Sequence, residues 1–268
     1  QQRVSGAKPA ARLAQATQLQ QAGRTAEALR LCEQLVAEAP EYLPAVQTLG
    51  AWYFQGGQTA RAVEQFRKAL ALAPEDPEVL NNSGMVLCVA GEQEEAVVLL
   101  HRATRLRPDY AEAHNNLGNA LKLMGKLEPA LHCYVTAALE LRPRFGLAAA
   151  NAAAACRGLG RWEDALTLFN KALTLDSSMG DAWLELGGLW VDLGEYDKAT
   201  QCFQQGLALD EGAAISWLNL GIAAHKKADF AAAQHLYGRA IALDPSMTAA
   251  HVNLGNLHKE QGRLAQAM

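Results

Sequence analysis

The sequence predicts an all-α fold, a solenoid of antiparallel helix pairs, and three observations carry that prediction. A glycine-ended turn returns every 34 residues, at Gly23, Gly57, Gly91, Gly125, Gly160, Gly194 and Gly262, with Ala228 in the same place once and a single interval of 35 between Gly125 and Gly160. Five residues after each turn position stands an alanine: Ala28, Ala62, Ala96, Ala130, Ala165, Ala199, Ala233 and Ala267. Seven residues before each stands a small residue: Ala16, Gly50, Gly84, Gly118, Ala153, Gly187, Gly221 and Gly255. Marks that stay in phase over a fixed period of this length are the signature of stacked helical units that share one continuous core.

Each element of the unit follows in order. Helix A is set by large apolar residues beside the small one, such as Leu49, Leu117, Leu186, Leu220 and Leu254, at offsets that fall on one helix face. The glycine then ends helix A, as in "LMGKLEPAL" and "DLGEYDKAT". Helix B carries the alanine and a second large residue: Phe66, Leu100, Tyr134, Phe169, Phe203 and Tyr237. Two small residues facing one another would let the helices approach closely while the large ones fill the remaining space. Pro40, Pro74, Pro108, Pro143 and Pro245 close helix B and position the next helix A, because proline lacks an N–H and restrains its predecessor. Ser177 and Glu211 replace proline at two boundaries, where the helix ends are less well specified.

The resulting division is an N-terminal extension, 1–8, followed by units 9–42, 43–76, 77–110, 111–145, 146–179, 180–213 and 214–247 and a partial eighth, 248–268. The fourth unit has one residue too many. Since Gly125 and Gly160 both keep their surroundings, the insertion belongs near "ALELRPRF", where a local bulge or altered turn would absorb it.

Composition narrows the function classes. With a net charge of -4 and both signs interspersed, the chain offers no basic face for nucleic acid or anionic lipid. No apolar run approaches the roughly 20 residues of a spanning helix. Five cysteines without paired or CxxC spacing argue against a disulfide scaffold and fit a reducing, cytoplasmic compartment.

These features resemble the tetratricopeptide repeat (TPR) family over almost everything after residue 8. The resemblance implies a right-handed superhelix whose A helices line a concave face and whose B helices lie mostly outside. It also implies a noncatalytic scaffold that binds a protein or peptide segment in that groove.

A polar column runs through the A helices. Asn82, Asn116, Asn151, Asn219 and Asn253 share the sixth place of their helices, with Ala14, Thr48 and Glu185 in the other units. Asparagine costs roughly 0.5 kcal/mol against alanine in a helix interior, so its recurrence calls for a reason. The amides can bond to one another or to neighbouring backbone, or engage the N–H and C=O groups of an extended peptide. Flanking candidates are Asn81 and Asn115 at the fifth place and Asn119 and Asn256 at the ninth. Lys122, Arg157, His225, Lys226 and Lys259 lie further toward the turn, where they read either as a basic edge for acidic side chains of a ligand or as a plain solvated edge, with acids mixed in at Asp181, Glu185, Asp192 and Glu260.

The column is similar to that in the repeat domain of protein O-GlcNAc transferases, which implies a second reading, the substrate-recruiting arm of a larger glycosyltransferase. No nucleotide-sugar site is present in the 268 residues. The chain begins without Met and ends at "GRLAQAM", inside an expected helix B, which suggests a fragment or pairing with another copy through exposed terminal helices. The lysine and arginine pattern of repeat adaptors that clamp a terminal carboxylate is absent.

Catalytic groups do not converge. His114 and His251 share the fourth place of helix A with Trp183 and Trp217 and read as partly packed rings; no metal set or cofactor motif assembles around them. Trp162, Trp183, Trp190 and Trp217 fall on packing positions, leaving Trp52 as the candidate for an exposed anchor.

Overall fold

The computed structural model describes residues 9–262, and those residues are all-α, with 15 α-helices and one π-helical turn. They form two compact units divided after Arg142. The expected extension at 1–8 and the mark at Ala267 lie outside the described residues.

The first unit contains α1 (Pro9–Gln21), α2 (Thr25–Glu38), α3 (Leu43–Gln55), α4 (Thr59–Leu72), α5 (Pro77–Val89), α6 (Gln93–Leu106), α7 (Ala111–Leu123) and α8 (Leu127–Val135). The helices pair in sequence, α1 with α2 through α7 with α8, and each pair packs on the next. The second unit contains α9 (Gly146–Gly158), α10 (Trp162–Leu175), α11 (Gly180–Asp192), α12 (Tyr196–Leu209), α13 (Ala214–Lys226), α14 (Phe230–Leu243) and α15 (Thr248–Glu260). Its A helices α9, α11, α13 and α15 also touch one another in succession, forming a wall.

The turn glycines explain where every helix A stops. All seven adopt left-handed backbone, with φ between 72° and 89°, and Ala228 is forced into the same region at φ 59°. The next residue then donates its N–H to the carbonyl five residues back, as in Lys126 to Leu121 at 2.9 Å and Glu195 to Trp190 at 2.8 Å. This 6→1 bond satisfies carbonyls that the helix end would otherwise leave open.

Packing inside a pair differs in one respect from the sequence expectation. The small residue of helix A faces the large residue of helix B, not its alanine. A Cβ placed on Gly118 would sit 2.5 Å from Cε1 of Tyr134, and one on Gly84 would sit 2.5 Å from Cγ of Leu100. The glycine is therefore the space into which the ring or leucine fits. The alanines Ala62, Ala96, Ala130, Ala165, Ala199 and Ala233 are fully buried, so they also permit close approach, but against other neighbours.

The extra residue of the fourth unit is accommodated within helix B. Thr136–Leu141 forms a π-helical turn that continues α8 and ends with the Arg142 N–H on the Ala137 carbonyl at 3.0 Å. One π turn takes in one residue more than an α turn, so the insertion begins slightly earlier than "ALELRPRF" but overlaps it.

The two boundaries without proline are also closed in an ordered way. Asp176, Asp210 and Asp244 each accept the backbone N–H two residues ahead at 2.9 Å, and α10 and α12 end at equivalent leucines, Leu175 and Leu209. Ring N–H groups tie the same turns from above. Trp183 Nε1 donates to the Ser177 carbonyl at 2.9 Å and Trp217 Nε1 to the Glu211 carbonyl at 3.1 Å. The two histidines at that helical place repeat the contact, His114 to Pro108 and His251 to Pro245, each at 3.0 Å. A carbonyl only accepts, so Nε2 carries the proton in both imidazoles. The fourth place of helix A is thus a strap across the preceding turn.

Trp162 departs from expectation. It opens α10 and is 39% exposed, because a first-turn side chain reaches past the packed face. Trp52 is half-buried and packs against the core of the first unit.

Candidate functional site

All five column asparagines occupy the sixth place of α5, α7, α9, α13 and α15, and all five are half-buried. Glu185 fills that place in α11. Beyond that shared placement the two units treat them differently.

In the first unit the amides are linked. Asn116 Nδ2 donates to Asn81 Oδ1 at 3.0 Å, and Asn81 Nδ2 donates to Asn82 Oδ1 at 3.1 Å. Asn81 and Asn115 are 4% and 3% exposed, so the fifth place of α5 and α7 is turned away from the open A-helix surface. Asn115 is consequently a buried polar group, out of reach of a ligand. Its neighbour Asn119 accepts the Tyr134 hydroxyl at 2.8 Å. That phenol is fully buried, and burial pushes its pKa well above the ordinary tyrosine value, so it requires a partner.

In the second unit Asn219, Asn253 and Asn256 make no hydrogen bond among the described residues. Asn256 is exposed at the ninth place of α15, and Asn151 is engaged within the protein. Here the column presents open amides on the A wall.

The basic edge also divides. Arg157 is committed to the protein: its Nε donates to Asp192 at 2.7 Å and its Nη1 to Glu185 at 2.9 Å. The guanidinium lies directly against Gly188, where a Cβ would sit 2.7 Å from Nη1. Burial opposes its charge, but the two carboxylates outweigh that and hold its pKa above the ordinary arginine value. Glu185 therefore interrupts the asparagine column in order to pair with Arg157, a role that the column alone does not disclose. Lys122 and Lys226 carry no hydrogen bond or ion pair among the described residues.

Several of these residues converge on one groove of about 600 Å³ between α13 and α15. It is lined by buried Tyr237, whose hydroxyl lies 3.4 Å from His225 Nδ1, by half-buried Ile222 and Asn253, and by exposed Asn256, Lys226 and Lys259. His225 and Glu260 close one end as a pair, Nε2 to Oε2 at 2.9 Å. Tyr237 reaches the groove because Gly221 leaves room for its ring; a Cβ there would be 2.6 Å from Cδ1. Burial, with Glu260 adding to it, pushes the phenol to a pKa of about 12, so it is neutral and can donate.

No group of three or more His, Cys, Asp or Glu that could hold a metal occurs among the described residues. The five cysteines are free and buried, and burial pushes the Cys32, Cys133 and Cys202 thiols up to about 11. Neutral, enclosed thiols are poor nucleophiles. No described helix is long and apolar enough to cross a membrane.

Comparison with protein-family models settles the family. A model described as "TPR repeat" matches residues 84–125, and two described as "Tetratricopeptide repeat" match 19–82 with 157–220 and 124–182 with 218–268. The chain belongs to the tetratricopeptide repeat family. No curated protein matches this TPR chain. Among solved structures, the Cut9 and Hcn1 hetero-tetramer of the APC/C is similar at a TM-score of 0.77 with 19% identity, covering 90% of this chain and 48% of that one. This TPR chain thus spans about half the length of that neighbour. A tetratricopeptide repeat protein from Parabacteroides merdae matches at a TM-score of 0.76 with 15% identity over 95% of this chain and 100% of its own. YrrB, described as a TPR protein with an unusual peptide-binding site, matches at a TM-score of 0.54 with 23% identity, covering 74% and 99%. At these identities the likenesses speak for the fold, and the TPR fold is typical of protein–protein interaction scaffolds.

Proposed function

We propose that the chain is a noncatalytic scaffold that binds a protein or peptide segment on its A-helix wall through the asparagine column. One observation carries this reading. Asn219, Asn253 and Asn256 stand in helices where alanine would be the better former, yet they make no hydrogen bond among the described residues. An amide supplies a donor and an acceptor side by side, which suits the N–H and C=O of an extended chain while tolerating varied side chains. YrrB, with its peptide-binding site, supports the reading from a neighbour of the same fold. In the first unit the same column serves partly as an internal ladder, so peptide contacts there fall to the unused donors and acceptors of Asn82 and Asn116.

The test begins with selection of binders from a random peptide library displayed on phage, using the whole chain as bait. An Asn219→Ala and Asn253→Ala double variant should keep its helical signal and lose at least about tenfold in affinity for selected peptides, the equivalent of about 1.4 kcal/mol. Unchanged affinity would refute the column as the contact. The likeness to O-GlcNAc transferase arms rests on the same asparagines and on the end of the sequence inside an expected helix B, and none of the comparisons supports it, so the scaffold reading takes precedence over it.

A further inference from the structure

We propose that the groove between α13 and α15 is a subsite for an acidic peptide segment, with acidic side chains three residues apart. The inference rests on the scaffold reading and adds the chemistry and spacing of the occupant.

Charge is the first argument. Lys226 and Lys259 line the groove, and neither ammonium has an ion pair or hydrogen bond among the described residues. Basic side chains elsewhere on the chain are commonly paired across repeats, as Arg67 is with Glu92 and Lys227 with Asp197. The one carboxylate lining the groove, Glu260, is already held by His225 at 2.9 Å. Two open cations beside an occupied acid leave a local excess of positive charge on a chain whose net charge is -4. That excess is local, far too small for a nucleic acid track, but suited to two carboxylates.

The amides are the second argument. Asn253 and Asn256 sit about one helical turn apart on α15 and line the same groove as the two lysines and Ile222. They can address the backbone of a segment whose acids turn toward Lys226 and Lys259.

Spacing follows from the helices. Lys226 and Lys259 belong to successive A helices that pack on one another, and packed helix axes lie about 8–10 Å apart. A polyproline II segment rises about 3.1 Å per residue with three residues per turn. Side chains three apart therefore project to one side at about 9 Å intervals, in step with the repeats. A β-strand alternates sides every residue, so it would turn the second of two such acids away.

The probes are nine-residue peptides with Glu at every third place and Pro and Ala between, together with versions carrying Gln, Lys, or three adjacent Glu. Fluorescence polarisation with the whole chain at low salt reads the affinity. The spaced Glu peptide should bind at least about tenfold more tightly than the Gln version, weaken as salt rises, and exceed the Lys and adjacent-Glu versions. Lys226→Gln and Lys259→Gln should each cost roughly threefold to fivefold, in line with exposed charge pairs. Both lysines are exposed, so circular dichroism should show both variants folded. Equal binding of the Gln or adjacent-Glu peptide, equal binding of an oligonucleotide of the same charge, or indifference to both lysine substitutions would overturn the inference. If library-selected peptides bind and the spaced Glu peptide does not, only this subsite falls; if no peptide binds, the scaffold reading falls with it.

Discussion

Replacing Gly118 with alanine isolates the packing rule of the repeat from helix propensity. The new Cβ would meet Cε1, Cδ1 and Cζ of Tyr134 at 2.5, 2.7 and 2.9 Å. The ring has no room to retreat, since it is fully buried and its hydroxyl is anchored on Asn119. Overpacking of this kind costs about 1–3 kcal/mol, whereas alanine returns up to about 1 kcal/mol of helix propensity. Ala153 holds the equivalent place in α9, so a wider helix spacing can be built, and relaxation in that direction would bring the loss toward the lower end. The net expectation is a destabilisation of up to about 2 kcal/mol. Gly238→Ala is the matched control: Gly238 also lies inside a helix, α14, but a Cβ there meets nothing within 4 Å. It should stabilise by about 0.5–1 kcal/mol. Urea unfolding followed by circular dichroism, run on both variants and the parent, reads the difference. If both substitutions shift the midpoint in the same direction, the glycine-to-ring packing argument is wrong.

Other substitutions test other parts of the repeat. Ala228→Gly should raise the urea midpoint by the equivalent of about 1 kcal/mol, because it relieves the left-handed backbone at φ 59°; a lowered midpoint would contradict that. Ser216 is 1% exposed, and its Oγ has no hydrogen-bond partner among the described residues; it stands at the third place of α13, which holds buried Ala45, Ala113, Ala148, Ala182 and Ala250 elsewhere. Ser216→Ala should therefore stabilise by about 1–2 kcal/mol in the same assay. Cys32, Cys133 and Cys202 titrate near 11 when folded, above the value of about 8.5 in an open chain. The unfolded state thus loses protons first as pH rises, so stability should be full below about pH 8.5 and decline progressively to about pH 11. Urea midpoints across that range check it, and a flat profile would argue against buried thiols; iodoacetamide at pH 8 should label them only after unfolding.

The fold was legible because its marks are discrete. A left-handed turn selects glycine, a ring or leucine packed on the helix backbone favours a missing Cβ, and both marks recur in most repeats, with Ala228 at one turn and Ala16 and Ala153 at two small positions. Even Ala228 betrayed its role by keeping phase. The site was legible only in outline. Periodicity placed Asn116 and Asn253 at the same helical position, but could not show that one would donate to Asn81 while the other stayed open. That depends on whether the neighbouring repeat offers a fifth-place asparagine or something else. Asn115 misled for a related reason, since one helical step of about 100° separates the exposed wall from the buried side of the helix. Arg157 looked like part of a ligand-facing edge because its partner Asp192 lies 35 residues away in sequence. Long side chains reach across a repeat, and their pairing is set in three dimensions.

The π-helical turn at Thr136–Leu141 acts as an expansion joint. A surplus residue in a surface loop would be inconspicuous; here it is taken up inside a packed helix, and the glycine and alanine of the following repeat resume their places at Gly160 and Ala165. Register in such a chain is consequently not kept by counting from one end. Within each unit the repeats are aligned by the side chains of their neighbours, the surplus residue is taken up in a single turn, and the polar groups carried by later repeats can vary on their own.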